Sequence, residues 1–206
     1  MCGVVRSSLV LIKYQNAMKQ FRVTIFTEKY MQHRMDDQKL EEWEKNRGKI
    51  IERDDVNQED LKRAEFHCYR NEAGECFVPS EHIKQALING GTQVKSKVGN
   101  GRKSMTNIVA GLFTVSPEEI KVRDFDIIDK RSAVNRNVKA RVIAVRPRWN
   151  DLSLSFTINV KNDTVTQQTV KSILEHAGMM YGIGSYRPEH KGEFGVFEIK
   201  EFEQVK

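Results

Sequence analysis

Leu152-Ser153-Leu154-Ser155-Phe156-Thr157-Ile158-Asn159-Val160 alternates apolar and hydrogen-bonding side chains without a break. Successive side chains of a strand point to opposite faces, so this spacing predicts a β-strand with one buried and one polar face. Residues 138–145 are its expected antiparallel partner. The two are joined through Arg146-Pro147-Arg148-Trp149-Asn150-Asp151, where Pro147 is not expected to continue a central ladder. Downstream, Thr166 stands as a helix cap ahead of an apolar stripe of Val170, Ile173, Leu174 and Ala177, with Val165 placed to staple against Val170. Gly182 is the expected end of that helix, and a glycine-rich loop over 182–192 leads into a last strand over 194–202.

Toward the N-terminus, Phe21, Val23 and Ile25 recur at period two within 18–27 and predict a first strand. Residues 30–65 are dense in both charge signs, with Leu40 and Trp43 three apart and an Asn57 cap that Val56 would staple against Leu61. They read as a helical insertion. Residues 66–69 and 76–78 flank Asn71-Glu72-Ala73-Gly74 and read as a small hairpin. Ser80 is expected to cap a helix carrying Ile83, Ala86 and Leu87, closed by Gly90-Gly91 in a left-handed conformation. The polar, basic stretch 92–106 reads as a mobile loop, and the apolar run 108–115 as a central strand. The order that remains is βαββαβ, an α+β chain with a ferredoxin-like core. Residues 1–206 are expected to form one decorated domain. Its core spans 18–29, 66–115 and 151–206, with the helical insertion at 30–65 and a β-hairpin arm at 116–150.

Composition narrows the function. Of 206 residues, 39% are hydrophobic and 30% charged, enough apolar material to build a core. The run 108–115 is far shorter than the ~18 residues of a spanning helix, and 9–12 is too short for a signal-peptide core. Cys2, Cys68 and Cys76 form no CxxC pair and leave one over, which points to a reduced, intracellular protein with no membrane partner. Charge is uneven: residues 91–149 hold 13 basic and five acidic side chains, an excess of eight, while the rest of the chain sums to −2. Such a field favours a phosphate backbone over a small neutral substrate, although a merely soluble basic surface has the same composition.

Catalytic patterns are missing. His33, His67, His82, His176 and His190 have no metal-ligand spacing, and His67-Cys68 near Cys76 is atypical. Gly99-Asn100-Gly101-Arg102-Lys103-Ser104 imitates the end of a phosphate-binding loop, but Arg102 interrupts the Gly-Lys-Ser sequence. Asp36-Asp37 lies in a charge-rich stretch that reads as a solvated helix face. No enzyme and no cofactor is expected.

What accumulates is a binding constellation. Arg141, Arg146 and Arg148 lie on or near the tip of the expected hairpin with Trp149 beside them, supplying guanidinium forks for phosphates and a flat ring for a base. Lys95, Lys97, Arg102 and Lys103 add a basic loop. Gly182-Ile183-Gly184-Ser185-Tyr186-Arg187-Pro188 is expected to expose backbone amides next to Tyr186 and Arg187. Each element has a plainer reading: Trp149 packed under the hairpin with solvated arginines, and Phe194 and Phe197 as core rather than base platforms.

The run Arg141 to Phe156 (Arg-x4-Arg-Pro-x-Trp and the alternating strand), the Gly-x-Gly-Ser-Tyr-Arg-Pro turn and Gly-x-Phe-Gly-x-Phe together resemble a family of phage and prophage proteins. That family looks like the RAMP superfamily, RRM-like proteins that include the backbone subunits of CRISPR effector complexes. The resemblance covers most of 20–203 and is most specific at 138–197. It implies a palm with an RRM-like core, a helical excursion at 30–65 and a hairpin thumb at 116–150. It also implies polymerisation along single-stranded RNA in the cytoplasm of a bacterial host cell. The chain is shorter than most such subunits, and no cleavage aspartate can be placed. The expectation is therefore a non-enzymatic, sequence-independent protein that oligomerises along single-stranded DNA or RNA. Arg102, Lys103, Arg141, Arg146, Arg148 and Arg187 would hold phosphates, and Trp149 and Tyr186 would stack on bases. Two alternatives stand beside it: a metal-dependent ribonuclease using Asp36 or Asp37, and a protein-interaction module that mimics a backbone subunit.

Overall fold

The computed structural model describes residues 18–34, 56–98, 101–135, 140–162 and 164–205. Five strands form the main sheet: β1 (Lys19–Met31), β5 (Phe113–Ser116), β7 (Ile127–Asn135), β8 (Ala140–Val160) and β9 (Glu198–Val205). The palm order is β5-β8-β1-β9, antiparallel throughout, with β7 added to β8. Two helices lie between its strands in the chain, α2 (Ser80–Gly90) and α4 (Gln167–His176). Helix α1 (Val56–Phe66) precedes them, and α3 (Thr106–Leu112) leads into β5. Strand, helix, strand, strand, helix, strand in this spatial order is the ferredoxin-like plan, so the chain is α+β.

The alternation in β8 does what its spacing dictates. Leu152, Leu154, Phe156, Ile158 and Val160 are buried, opposite Phe21, Val23 and Ile25 of β1, and Ile83, Leu87, Val170, Ile173 and Leu174 cover them from the helices. Each such burial contributes about 1.5–3 kcal/mol, and Ile158→Ala would cost about 2–5 kcal/mol through the cavity left behind. Thr166 caps α4, its hydroxyl accepting from the Thr169 amide at 3.2 Å. A π-helical turn (Ala177–Tyr181) follows, ending at Gly182 with φ 67°.

Several local expectations are corrected. Ser80 is the first residue of α2 rather than its cap; Pro79 holds that position without a side-chain hydrogen bond. Gly91 is right-handed, φ −61°. The reason for a glycine pair is proximity instead: a Cβ at Gly90 would lie 2.4 Å from the Ile173 carbonyl oxygen, so α2 and α4 cross closely. The run 108–115 divides into α3 and β5, and β5 is an edge strand. Residues 92–106 contain a two-stranded hairpin, β3 (Lys95–Val98) with β4 (Gly101–Ser104). Helix α1 already includes Val56 and Asn57 and continues through Phe66. The hairpin expected beyond it is reduced to one bridge between Arg70 and Cys76. Strand β2 (Phe77–Pro79) pairs with β6 (Glu119–Lys121) instead. Of the helical insertion expected at 30–65, Tyr30 and Met31 end β1 instead, and residues 35–55, including Leu40, Trp43, Asp36 and Asp37, lie outside the described residues.

The largest correction concerns 146–151. No turn forms there; β8 runs unbroken for 21 residues, its first part paired with β7 and its second with β1 and β5. Pro147 is tolerated because its carbonyl faces Gln32, accepting from that amide at 3.2 Å just past the end of β1. Its missing N–H therefore takes nothing from the β7 ladder. Asp151, φ 46°, bends the strand. The outcome is a two-stranded ribbon that extends the palm sheet.

Candidate functional site

Register on the ribbon pairs Asp129 with Arg146, Arg131 with Ala144 and Ile127 with Arg148. Paired residues share a face, so Asp129, Arg131, Arg146 and Arg148 gather on one side. Lys130 belongs to the other side and bonds Asp60 of α1 at 2.7 Å. The Asp129 carboxylate is 5% exposed and accepts from Arg131 at 2.5 and 2.7 Å and from Arg148 at 2.8 Å.

The glycine-rich loop 182–195 closes over this face. Arg146 Nη1 donates to Ser185 Oγ at 2.6 Å. The Arg131 guanidinium lies 4.5 Å from the Tyr186 ring centre and 4.6 Å from that of Phe194, with Arg148 and Lys29 5.7 and 5.8 Å from Phe194. Tyr186 is held at φ 58°, a conformation uncommon for an aromatic residue. Gly192 is the matching requirement, since a Cβ there would sit 1.9 Å from the Tyr186 carbonyl oxygen.

Charge in the cluster is unbalanced: three guanidiniums share one carboxylate. The Nε–H groups of Arg146 and Arg148 are buried with no hydrogen-bond partner among the described residues. Burial and the Arg131 cation push the Arg146 pKa down. For Asp129, burial raises the pKa, but the hydrogen bonds and charges of Arg131 and Arg148 outweigh it and hold the carboxyl below its usual value. An unpaired buried donor costs about 1–3 kcal/mol.

The other expected site residues fall in different places. Trp149 is 0% exposed; its indole donates to the Arg123 carbonyl at 2.7 Å and its ring packs on Tyr30 and Phe125. It is a core residue with no face open to a base, because β8 carries it past the ribbon into the palm. Arg187 is pinned by Glu189 at 2.7 Å and the Gly184 carbonyl at 2.8 Å. Three of the loop amides expected to be open to an anion are engaged. Those of Gly182, Ile183 and Ser185 donate to Ala177, Gly195 and Met31. Lys95, Arg102 and Lys103 are exposed on the β3–β4 hairpin, joined to the C-terminal end of α2 by the Met105 amide bonding Gly91 and Val94. The loop instead lies against Glu81, His82, Gln85 and Ala86, in the first half of α2. Lys97 stands in β3 opposite Arg102, and Arg141 in β8 opposite Val134. Arg131, Asp129, Ser185 and Lys29 were missed. The signal for the first two was the charged triplet Asp129-Lys130-Arg131 opposing Arg146 once the ribbon register is known.

The open face of the sheet is of mixed charge. Arg22, Thr24, Phe26, Ser155 and Asn159 lie there beside Glu198, Lys200, Glu201 and Glu203; Thr24 bonds Ser155 and Glu201, and the Lys200 ammonium lies 5.0 Å from the Phe26 ring centre. The aromatic strand expected at 194–202 begins only at Glu198, which leaves Phe194 and Phe197 before it, 5% and 4% exposed. Among the described residues no group of three His, Cys, Asp or Glu is placed to hold a metal ion, and no helix is long and apolar enough to cross a membrane.

No protein-family model matches the sequence, and no curated protein matches it. Among solved structures, the chain is similar to one in the cryo-EM structure of the Type III-B Cmr-beta bound to cognate target RNA, at 14% identity and a TM-score of 0.42. The match covers 98% of this chain and 65% of that one.

Proposed function

We propose that the protein binds single-stranded nucleic acid, without sequence preference and without catalysis, through the arginine face of the β7–β8 ribbon and the loop that closes over it. The observation that carries this reading is the pair of buried, unpartnered Nε–H groups in a cluster of three guanidiniums around a single carboxylate. Phosphates bind at Arg146, Arg148 and Arg131, whose planar forks match phosphate oxygens. The exposed part of Tyr186 and the outer face of the Arg131 guanidinium are the platform for a base, the role that buried Trp149 cannot fill. Lys95, Arg102 and Lys103, exposed on the β3–β4 hairpin, add further phosphate contacts, and Arg187 braces the loop. Copies of the chain assemble side by side along DNA or RNA in the cytoplasm. The test is purification at low salt followed by nuclease digestion. Ultraviolet absorbance dominated by nucleobases, removed by a single-strand nuclease, supports the reading. Nucleic-acid-free protein that captures no labelled single strand overturns it.

A further inference from the structure

Two cysteines that strand binding leaves unused lie side by side where the chain leaves α1. Cys68, two residues beyond that helix, and Cys76, the residue before β2, place their Sγ atoms 3.2 Å apart, and both are free thiols, 1% and 2% exposed. A disulfide bond is about 2.05 Å long, so the sulfurs need approach by only about 1.2 Å. The backbone around them is held from several sides. Phe77 N–H donates to the Tyr69 carbonyl at 3.1 Å, Asn71 N–H to that of Glu75 at 3.0 Å and Val122 N–H to that of Cys76 at 2.9 Å. Tyr69 N–H is fixed by the buried Gln32 side chain at 2.9 Å.

The pair is buried without being sealed off. The Cys76 S–H donates to the Asp124 carboxylate at 3.2 Å, and the Asp124 side chain is 75% exposed, so Cys76 lies one side chain below solvent and within reach of an oxidant not much larger than water. Arg70 spans the same spot, bonded to Asp124 at 2.8 Å and to Glu65 of α1 at 2.7 Å. Burial raises the pKa of both thiols and the Arg70 cation offsets it only in part, so the resting thiols are protonated and slow to react. What favours their reaction with each other is proximity: once one sulfur is oxidised, the second is already beside it.

We propose that Cys68 and Cys76 are a modification site, at which a hydroperoxide converts the two thiols to a disulfide that staples the end of α1 to β2, and a thiol reductant reopens it. One sulfur attacks the peroxide: an S–O bond forms, the O–O bond breaks, and the departing hydroxide takes the thiol proton and leaves as water. The second sulfur attacks the first: the S–S bond forms, the S–O bond breaks, and the hydroxide takes the other thiol proton as a second water. The thiols lose two electrons and the peroxide gains them. The site does not depend on what the arginine face binds. The experiment treats the folded protein and its Cys2→Ser variant with hydrogen peroxide, quenches with catalase, unfolds the chains in N-ethylmaleimide, and reads intact mass and linked peptides. The expected result is a loss of about 2 Da before alkylation, a Cys68–Cys76 linked peptide in both proteins, no maleimide on the variant, and full reversal by dithiothreitol. Native-state hydrogen exchange at the Asn71, Gly74 and Phe77 amides, which donate within the turn, should slow roughly tenfold in the linked form. Two maleimides on the treated variant, or oxygen adducts on either sulfur without a link, overturn the site. Unchanged exchange in the linked form overturns the staple.

Discussion

Replacing Asp129 by Asn removes the one carboxylate among Arg131, Arg146 and Arg148 while keeping its shape. Stability and strand affinity should then move in opposite directions. Breaking a buried ion pair from one side costs about 3–5 kcal/mol. Arg131 and Arg148 are 31% and 20% exposed, so solvent screens part of that loss and about 2–3 kcal/mol is expected. For a strand phosphate seated about 5 Å from the lost carboxylate, a repulsion of about 1–3 kcal/mol disappears, from water-like to surface-like dielectric. Affinity should therefore rise at least about fivefold. Urea unfolding with and without a short single strand, together with anisotropy on folded protein, reads both quantities. The acid limb is a further signature. The parent carboxyl titrates below its usual value near 3.8, so its contribution is full above that pH and is lost as pH falls through the lower folded value. The variant lacks this loss. If affinity falls along with stability, the arginines only fasten the ribbon to the loop, and competition between Asp129 and phosphate is refuted.

Other outcomes follow from the same geometry. Trp149→Ala should cost about 3–5 kcal/mol in urea unfolding, yet leave strand affinity of the folded fraction within about twofold, because the ring only packs. His82 has a folded pKa near 4 against 6.5 unfolded, so its neutral form stabilises the fold fully above pH 6.5. That contribution, up to about 3 kcal/mol, is lost as pH drops toward 4, and His82→Gln should flatten the corresponding slope of stability against pH. Gly192→Ala should disorder the loop around Tyr186 and weaken strand binding several-fold, read by anisotropy and by altered tyrosine-ring chemical shifts.

The palm was legible in the sequence because its strands bury one face only. Leu152 to Val160 announces its period unambiguously, and Thr166 with Val165 and Val170 marks a helix start by side-chain chemistry alone. The run 108–115 was not legible: a short, wholly apolar stretch carries no period, so α3 and β5 merge into one apparent strand. Pro147 misled because its effect depends on which side of β8 has a neighbour, and only the end of β1 at Met31 decides that. The arginines at 146 and 148 were legible as a cluster, but their partners were not. Asp129 and Arg131 lie in a different strand, Ser185 and Tyr186 in a distant loop, and only the register and the loop's closure bring them together. Trp149 sat in the right motif and faced the wrong way, since the alternation that exposes Arg148 turns its neighbour inward.

The most direct test of the central claim is a salt titration of anisotropy with matched single- and double-stranded oligonucleotides, for the parent protein and for Arg146→Ala shown to be folded by circular dichroism. Single strands should bind more tightly than duplexes, with affinity falling linearly on a log–log plot against salt and the slope reduced by about 0.7 in the variant, one phosphate contact fewer. Equal binding of both forms, or an unchanged slope in the folded variant, would contradict it.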